Sequence, residues 1–466
     1  MKKFNKDKYL KKLKLKKYKR YLYIGIPCIL VLLIGIYLAY SKFSVFKEEE
    51  VVRTTVGDFI SGDAVIGAYI NGEYSNTIPG KNDGYVVKNV SCDNNATGSW
   101  DKDSWGIVLT NMTKRTKCNI YFETKKPSLT EAITTAMSSN PSMFASDDPG
   151  KNIRYIGKNP SNYVYFNCSD YNNPTADTCE LWRIIGVFNN ITKGDGSKEN
   201  LVKIIRADSL GSYYLDYKKN GVGTSTNDYG SNDWSDSQLM MMLNPTSYLK
   251  SGYTNSSDII SSGSQQLYSK MGSYYNGTKG CEPAEVASGA SFSCTEVDFT
   301  STGLKNDTTR NAIEEVVWNL GGVSSSVLPV STFYTSERGT TVYTGHTTTW
   351  TGKIGLMYPS DYGYATSGGT TKDRAACLAK ELSKWDLSDF SDCSRNDYLY
   401  ADNWQWTMAP HSAYAFDVFN LDWTSNVDYN RADNTLEVRP ALFLKSNILV
   451  DKGTGERSNP YTLKIQ

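Results

Sequence analysis

The amino-acid sequence predicts an α+β chain in three parts: a single N-terminal transmembrane helix, a small β-sandwich spacer, and a larger C-terminal mixed α/β domain. Three observations lead there. An uncharged apolar run, "YLYIGIPCILVLLIGIYLAY", follows a strongly basic start. Text alternating apolar and polar residues between turn signals fills 54–126. Beyond Pro127, strand-like runs are interspersed with short helical patterns to the end of the chain.

Residues 1–20 hold ten Lys, one Arg and one Asp, a local balance of +10. The apolar run that begins at Tyr21 and ends at Tyr40 has the roughly 20 residues a bilayer requires. Lys-rich flanks stay on the cytoplasmic side, so the reading is a single-pass protein of the cell membrane. Its basic tail (1–20) is cytoplasmic and touches anionic lipid; a membrane helix (21–40) and a short charged stalk (41–53) follow, with the remaining domains extracellular. A cleaved signal peptide is the rival, but its apolar core is usually shorter, about 7–15 residues, and "LAYSKF" is a poor cleavage site. With a formal charge of +1 on the whole chain and +10 in the tail, the remainder carries −9. That acidity argues against a nucleic-acid partner, which needs a basic footprint.

The spacer, 54–126, reads as strands "GAYINGEYSNTI", "GYVVKNVSC", "WGIVLTNM" and "KCNIYFE", punctuated by Gly-Lys-Asn-Asp-Gly and Asp-Lys-Asp-Ser turns. The larger domain, 127–466, opens on a helix whose Ser128 and Glu131 have capping-box spacing. "YVYFNC" and "CELWRIIGVF" read as a paired set of strands, with "NLVKIIRADSL" as a third. Helical patterns cover "DWSDSQLMMMLN", "TTRNAIEEVVWNLGG" and "RAACLAKELSKW".

Cysteine usage agrees with an oxidising exterior. Cys28 falls inside the apolar run; the other eight lie as near neighbours, Cys92 with Cys118, Cys168 with Cys179, Cys281 with Cys294, and Cys377 with Cys393. Eight cysteines allow 105 pairings, and short loops favour this one. A zinc site is the alternative, but the sequence has no C-x-x-C and only two histidines. Neither His346 nor His411 belongs to an H-E-x-x-H motif, and neither a G-x-S-x-G elbow nor a phosphate-binding glycine loop occurs. No cofactor, metal or catalytic group is therefore assigned.

The stretch 412–434, "SAYAFDVFNLDWTSNVDYNRADN", mixes Asn, Asp, Ser and Tyr with single apolar residues and keeps no steady period. Its flanks, "WQWTMAP" and "EVRPALFLKS", read as core. Aromatic rings in polar company supply contact area and adaptable hydrogen bonds at low entropic cost. The residues assigned to ligand binding are Ser412, Tyr414, Phe416, Asn420, Asp422, Asn426, Asp428, Tyr429, Asn430 and Asn434. Alternation points Ala413, Ala415, Phe419, Leu421 and Trp423 inward.

Together "CELWRIIGVF", "SNDWSDSQLMMMLN", "KIGLMYPSDYGYATSGG", "WQWTMAP" and "EVRPALFLKSNILV", closing on "SNPYTLKI", resemble a bacterial group of C-type-lectin-like domains. That group is related to formylglycine-generating-enzyme folds and to variable proteins diversified by retroelements. The resemblance spans about 128–466. It implies a stable β-scaffold carrying a variable-type segment just before a terminal strand, where 412–434 lies. The calcium motifs of sugar-binding lectins are missing from the expected place. The function expected is membrane-anchored recognition of an external ligand, protein or glycan. The alternatives are an envelope enzyme of the formylglycine-generating or glycan-hydrolase type, and a structural envelope protein.

Overall fold

The computed structural model describes residues 52–54, 64–112, 114–217, 229–248, 254–255, 266–267, 272–281, 296–400 and 402–465. The chain divides into two compact units after Lys125.

The first unit is built on two sheets. Its strands are β1 (Val52–Thr54), β2 (Ala64–Ile70), β3 (Glu73–Ser75), β4 (Tyr85–Cys92), β5 (Thr97–Asp101), β6 (Gly106–Thr110) and β7 (Thr116–Thr124). One sheet has the order β1-β6-β5 and the other β3-β2-β7-β4. Alternation along β7 sends Cys118, Ile120 and Phe122 into a core shared with Ala68, Trp105, Ile107 and Leu109. Trp100 packs edge-on against both Trp105 and Phe122, with centroids 5.3 and 5.5 Å apart. Cys92 and Cys118 are direct ladder partners, bonded across β4 and β7. Only a glycine fits at Gly98, where a Cβ would lie 2.6 Å from Val90 and 2.7 Å from the Cys92 sulfur.

The second unit begins with helix α1 (Leu129–Ser139). Its capping box is formed: Ser128 Oγ accepts from Glu131 N at 3.1 Å, and Glu131 Oε2 accepts from Ser128 N at 2.7 Å. Next come β8 (Phe144–Ala145), β9 (Ile153–Tyr155), β10 (Tyr163–Phe166), β11 (Glu180–Thr192), β12 (Lys198–Arg206) and β13 (Ser212–Tyr214). A short buried helix, α2 (Gln238–Leu243), and α3 (Asp307–Ala312) precede the strand pair β14 (Val316–Asn319) and β15 (Thr349–Gly352). Later elements are α4 (Val330–Glu337), β16 (Ile354–Gly355), α5 (Pro359–Gly363), α6 (Arg374–Ala379), β17 (Gln405–Pro410), β18 (Asp417–Leu421), β19 (Val427–Arg431), β20 (Thr435–Glu437) and β21 (Ala441–Leu444).

Seven strands form the main sheet, in the order β16-β21-β12-β11-β9-β8 with β10 also on β11. β11 is buried on both faces through its centre, which is why its sequence is a near-continuous apolar run. Cys168 and Cys179 close the loop between β10 and β11, and Cys377 bonds Cys393. The C-terminal strand β21 lies inside this sheet, paired with β12 on one side and β16 on the other. A second sheet has the order β13-β20-β17-β18-β19.

Four buried charged side chains join the main sheet to α5. Arg154, Gly186, Lys203 and Phe443 are successive ladder partners on β9, β11, β12 and β21. They therefore share one face, and Gly186 contributes no side chain between the two cations. Asp361 accepts from Lys203 Nζ at 2.6 Å and from Arg154 Nη1 at 2.9 Å, while Asp148 accepts from Arg154 Nε at 2.6 Å. All four are essentially sealed from solvent. Burial alone would raise the Asp361 carboxyl, but Lys203 and Arg154 outweigh it and hold it well below the usual carboxylate range.

Several expectations are corrected. Among the described residues no helix is long and apolar enough to cross a membrane. The longest of these, α1, has 11 residues and rises about 16 Å, against roughly 20 residues for a span. The run from Tyr21 to Tyr40, the basic tail and the stalk as far as residue 51 lie outside the described residues, and the single-pass membrane placement with extracellular domains is withdrawn. The α+β class, with its mixed α/β C-type-lectin-like domain, gives way to a sheet-rich chain of several sheets, none of which closes into a barrel among the described residues. The pattern "TTRNAIEEVVWNLGG" is helical only as far as Ala312. Val316–Asn319 is strand, because Val-Val-Trp pairs with Thr349–Gly352 and puts Trp318 opposite Trp350. Of the four expected disulfides three are formed; Cys294 lies outside the described residues.

Two outcomes are expected. Non-reducing peptide mapping recovers the Cys92–Cys118, Cys168–Cys179 and Cys377–Cys393 links, each stabilising its unit by about 2–4 kcal/mol; free thiols at these positions would contradict the fold. In denaturant titrations Asp361→Asn costs about 3–5 kcal/mol, because it strands a buried cation. Lys203→Met combined with Asp361→Asn costs less than Asp361→Asn alone, since Arg154 keeps Asp148.

Candidate ligand-binding surface

The stretch 412–434 is more regular than its text. β18 sits between β17 and β19, and its five residues are all buried. With β19 it forms an antiparallel hairpin in the register Asp417↔Arg431, Phe419↔Tyr429 and Leu421↔Val427 on one face, Val418↔Asn430 and Asn420↔Asp428 on the other. Because β18 is covered on both sides, a polar residue at an inward position hides the alternation that would have marked a strand.

Asp422 builds the hairpin's turn. Its Oδ1 accepts from Thr424 N, Thr424 Oγ1 and Asn426 N at 2.8, 2.7 and 2.9 Å. Asn426 Oδ1 accepts from Asp386 N at 3.0 Å, and Tyr362 donates its hydroxyl to Ser425 O at 2.8 Å. Asn420 is fully buried, and neither carboxamide atom has a hydrogen-bond partner among the described residues. Three of the ten assigned residues, Asn420, Asp422 and Asn426, therefore lie inside the unit and are corrected to structural positions. Phe419 and Leu421 point inward, whereas Trp423 is exposed. Ala415 is buried, whereas Ala413 is exposed. The flanks are scaffold: Trp406, Arg439 and Leu442 are buried, and Trp404 is half-buried.

The remaining assigned residues divide. Asp428 is exposed on the opposite face of edge strand β19 from Tyr429. Asn430 accepts from Asn434 Nδ2 at 2.8 Å, a local brace, and Ser412 is half-buried with its backbone N–H on Val323 O. Tyr414, Phe416 and Tyr429 belong to one connected set of rings. The buried His411 ring lies 4.8 Å from Tyr414 and 4.7 Å from Tyr429, and stacks on Phe419 at 5.7 Å. Tyr414 touches Phe416 at 5.9 Å, and Phe416 meets Tyr229 edge-on at 5.1 Å. The Arg431 guanidinium sits 4.3 Å above Tyr229 and donates to Asp433 at 3.0 Å. Tyr414, Tyr229 and Tyr429 are 48%, 39% and 38% exposed.

What holds these rings in place comes from elsewhere in the chain. Asn232 Nδ2 donates to the carbonyls of His411, Tyr414 and Asp417 at 3.0, 2.7 and 2.7 Å, and Asn232 N donates to Ala415 O at 2.8 Å. Its Oδ1 faces His346 Nδ1 at 2.7 Å. His411 Nδ1 accepts from Ala413 N at 3.2 Å, and burial lowers the pKa of its ring. Asn232, His411, Tyr229 and Arg431 were not singled out from the sequence. Only His411 and Arg431 adjoin or lie in the stretch that was, and no local signal marks Asn232 or Tyr229. Among the described residues no group of three or more His, Cys, Asp or Glu side chains is placed to hold a metal ion.

Comparison with protein-family models, with curated proteins and with solved structures finds no match, so the site is read from its geometry.

Asp417 lies at the base of the ring set, opposite Arg431 in the ladder. Burial pushes its carboxyl up to about 6, against the pull of Arg431. A folded pKa above the unfolded value of 3.8 makes protonation favour the folded state, so stability falls as pH rises from about 4 to 6 and then levels. Asp417→Asn is expected to stabilise the protein by roughly 1–2 kcal/mol at pH 7 and hardly at all at pH 4. Equal effects at the two pH values in chemical denaturation would contradict this.

Proposed function

We propose that the larger unit is a recognition module without catalytic activity, binding a protein ligand through the ring surface of Tyr229, Tyr414, Phe416 and Tyr429. One observation carries this reading: partly exposed aromatic rings, with Tyr229, Phe416 and Tyr414 in a contacting chain and Tyr429 joined to it through His411, fixed from beneath by His411 and the Asn232 clamp. Tyrosine offers a broad apolar face and a polar tip at little rotamer cost, and such anchors dominate protein interfaces. Arg431 and Asp433 supply a charged rim, which sets orientation and partner choice. Immobilising the backbone beneath the rings lowers the entropy lost on binding. Three disulfides suit work in an oxidising compartment.

The test compares full-length wild type with Tyr414→Ala/Tyr429→Ala in capture of proteins from a whole extract of the source cells and their medium. Partners retained by wild type are expected to be lost from the double variant, a fall of at least tenfold, while melting changes little. Asn420→Val, which replaces a buried unpaired carboxamide, is expected to keep capture intact. Equal capture by wild type and the double variant would overturn the reading.

A further inference from the structure

The Asp417 carboxyl group is unpaired among the described residues: it accepts no hydrogen bond and joins no ion pair. On β18 it stands opposite Arg431, one row from the pair Phe419↔Tyr429 and on the same face. That face carries the ring set, since His411 stacks on Phe419 at 5.7 Å and meets Tyr429 at 4.7 Å. The ladder partner that could neutralise Asp417 is engaged elsewhere. Arg431 Nε donates to Asp433 Oδ1 at 3.0 Å, and its guanidinium covers the Tyr229 ring at 4.3 Å. Counting Arg431 as +1 and Asp433 and Asp417 as −1 each, the group is left with −1.

The carboxylate is held in position and is reachable. Its own carbonyl accepts from His411 N at 2.9 Å and from Asn232 Nδ2 at 2.7 Å, which fixes the backbone beneath it. The residue is 7% exposed, yet neither carboxyl oxygen is among the unpartnered atoms sealed from solvent. Asn420 on the same strand differs, because its carboxamide is closed in completely.

On the reading that the ring surface is the ligand-binding face, we propose that Asp417 is its specificity residue: the protein ligand inserts a lysine, whose ammonium pairs with the Asp417 carboxylate. An ionised carboxyl with so little access to water is costly unless a cation answers it. A neutral ligand laid over the rings would strip away the remaining water and leave the charge alone, so the site selects against it. A divalent metal ion needs several oxygen ligands, and among the described residues no group of three or more His, Cys, Asp or Glu side chains is placed to supply them. Arginine's planar fork suits an open carboxylate edge, whereas lysine brings a compact ammonium on a flexible stem to a narrow opening. The methylenes of that stem find apolar cover in the partly exposed rings of Tyr429 and Tyr414. Asp417 also works against the fold. Burial pushes its carboxyl up to about 6, so ionisation at pH 7 disfavours the folded state. Stability forgone at a position without a partner marks a residue kept for binding.

The experiment uses the full-length protein and small probes. Nα-acetyl-lysine methylamide is compared with Nα-acetyl-norleucine methylamide, which keeps the stem without the ammonium, and saturation-transfer NMR on the probe protons reads binding. The lysine probe is expected to bind wild type and to lose about tenfold in affinity with Asp417→Asn, whereas the norleucine probe does not distinguish the two proteins. Asp417→Asn melts no lower than wild type at pH 7, so the loss is not one of folding. Nα-acetyl-arginine methylamide binds more weakly than the lysine probe. In capture from the extract, Asp417→Asn loses the partners that wild type retains. No binding of the lysine probe, equal affinity of wild type and Asp417→Asn for it, or tighter binding of the arginine probe would overturn the proposal. Capture lost in Tyr414→Ala/Tyr429→Ala but kept in Asp417→Asn would overturn it while leaving the ring surface as the ligand-binding face. Capture indifferent to both variants would overturn the two together.

Discussion

The larger unit depends on a buried charge balance. Two cations, Arg154 and Lys203, project from one row of the main sheet and converge on Asp361, with Asp148 closing the account on the far side of Arg154. Taking such ions out of water costs several kcal/mol each unless every one is paired. The pairing therefore specifies where α5 must lie, since only Asp361 on that helix can answer both cations. Gly186 makes it possible, because a Cβ there would come within 2.1 Å of the Ile153 carbonyl and part the strands that bring Arg154 and Lys203 together. Aromatic rings complete the enclosure: Lys203 lies 4.5 Å from the Tyr358 ring and 5.1 Å from Trp318, and Arg154 lies 4.6 Å from Phe188.

From that anchored sheet the order passes outward. β21 runs beside β12 and leads directly from Arg439, whose guanidinium donates to the carbonyls of Arg206 and Leu399. Both flanks of 412–434 are thereby secured to scaffold, and the hairpin between them needs only local help. It receives two kinds. Asp422 closes the turn by itself, whereas Asn232 reaches across to three carbonyls at once. A carboxamide has two donor hydrogens, so three acceptors share them. Such a clamp holds a backbone path more tightly than it holds any side chain, which leaves Tyr414 and Phe416 free to present their rings.

Much of the scaffold was legible in the sequence because its signals are local. The capping box of α1 is a four-residue pattern, β11 and β21 are apolar runs of strand composition, and the disulfides join near neighbours. Where local signals compete, the reading fails. After Ala312 the text keeps a helical look, yet the β-branched pair Val316 and Val317 and the ring of Trp318 find better burial against Thr349–Gly352 than in a continued helix. The charge cluster left no trace in the sequence, because Asp148, Arg154, Lys203 and Asp361 are recognisable as partners only once the sheet has set their rows side by side.

The same distinction divides the candidate site. Tyr414, Phe416 and Tyr429 stood out because aromatic residues in polar text are visible one at a time. Their support did not, since Asn232 is 179 residues from the nearest carbonyl it holds in sequence, and asparagine is too common a residue here to attract notice. The Asn and Asp of 412–434 also carry two meanings that composition cannot separate. Asp422 spends its oxygens on backbone N–H groups and is architecture, while Asp428, on the edge strand, meets solvent. Asp417 was hidden for a related reason. It reads as one more acid in a polar stretch, and only the register of β18 and β19, with Arg431 drawn to Asp433, leaves it unpaired beside the rings. A recognition surface on a sheet is thus a property of pairing, and a chain whose polar residues serve both turns and faces discloses it only after the strands are aligned.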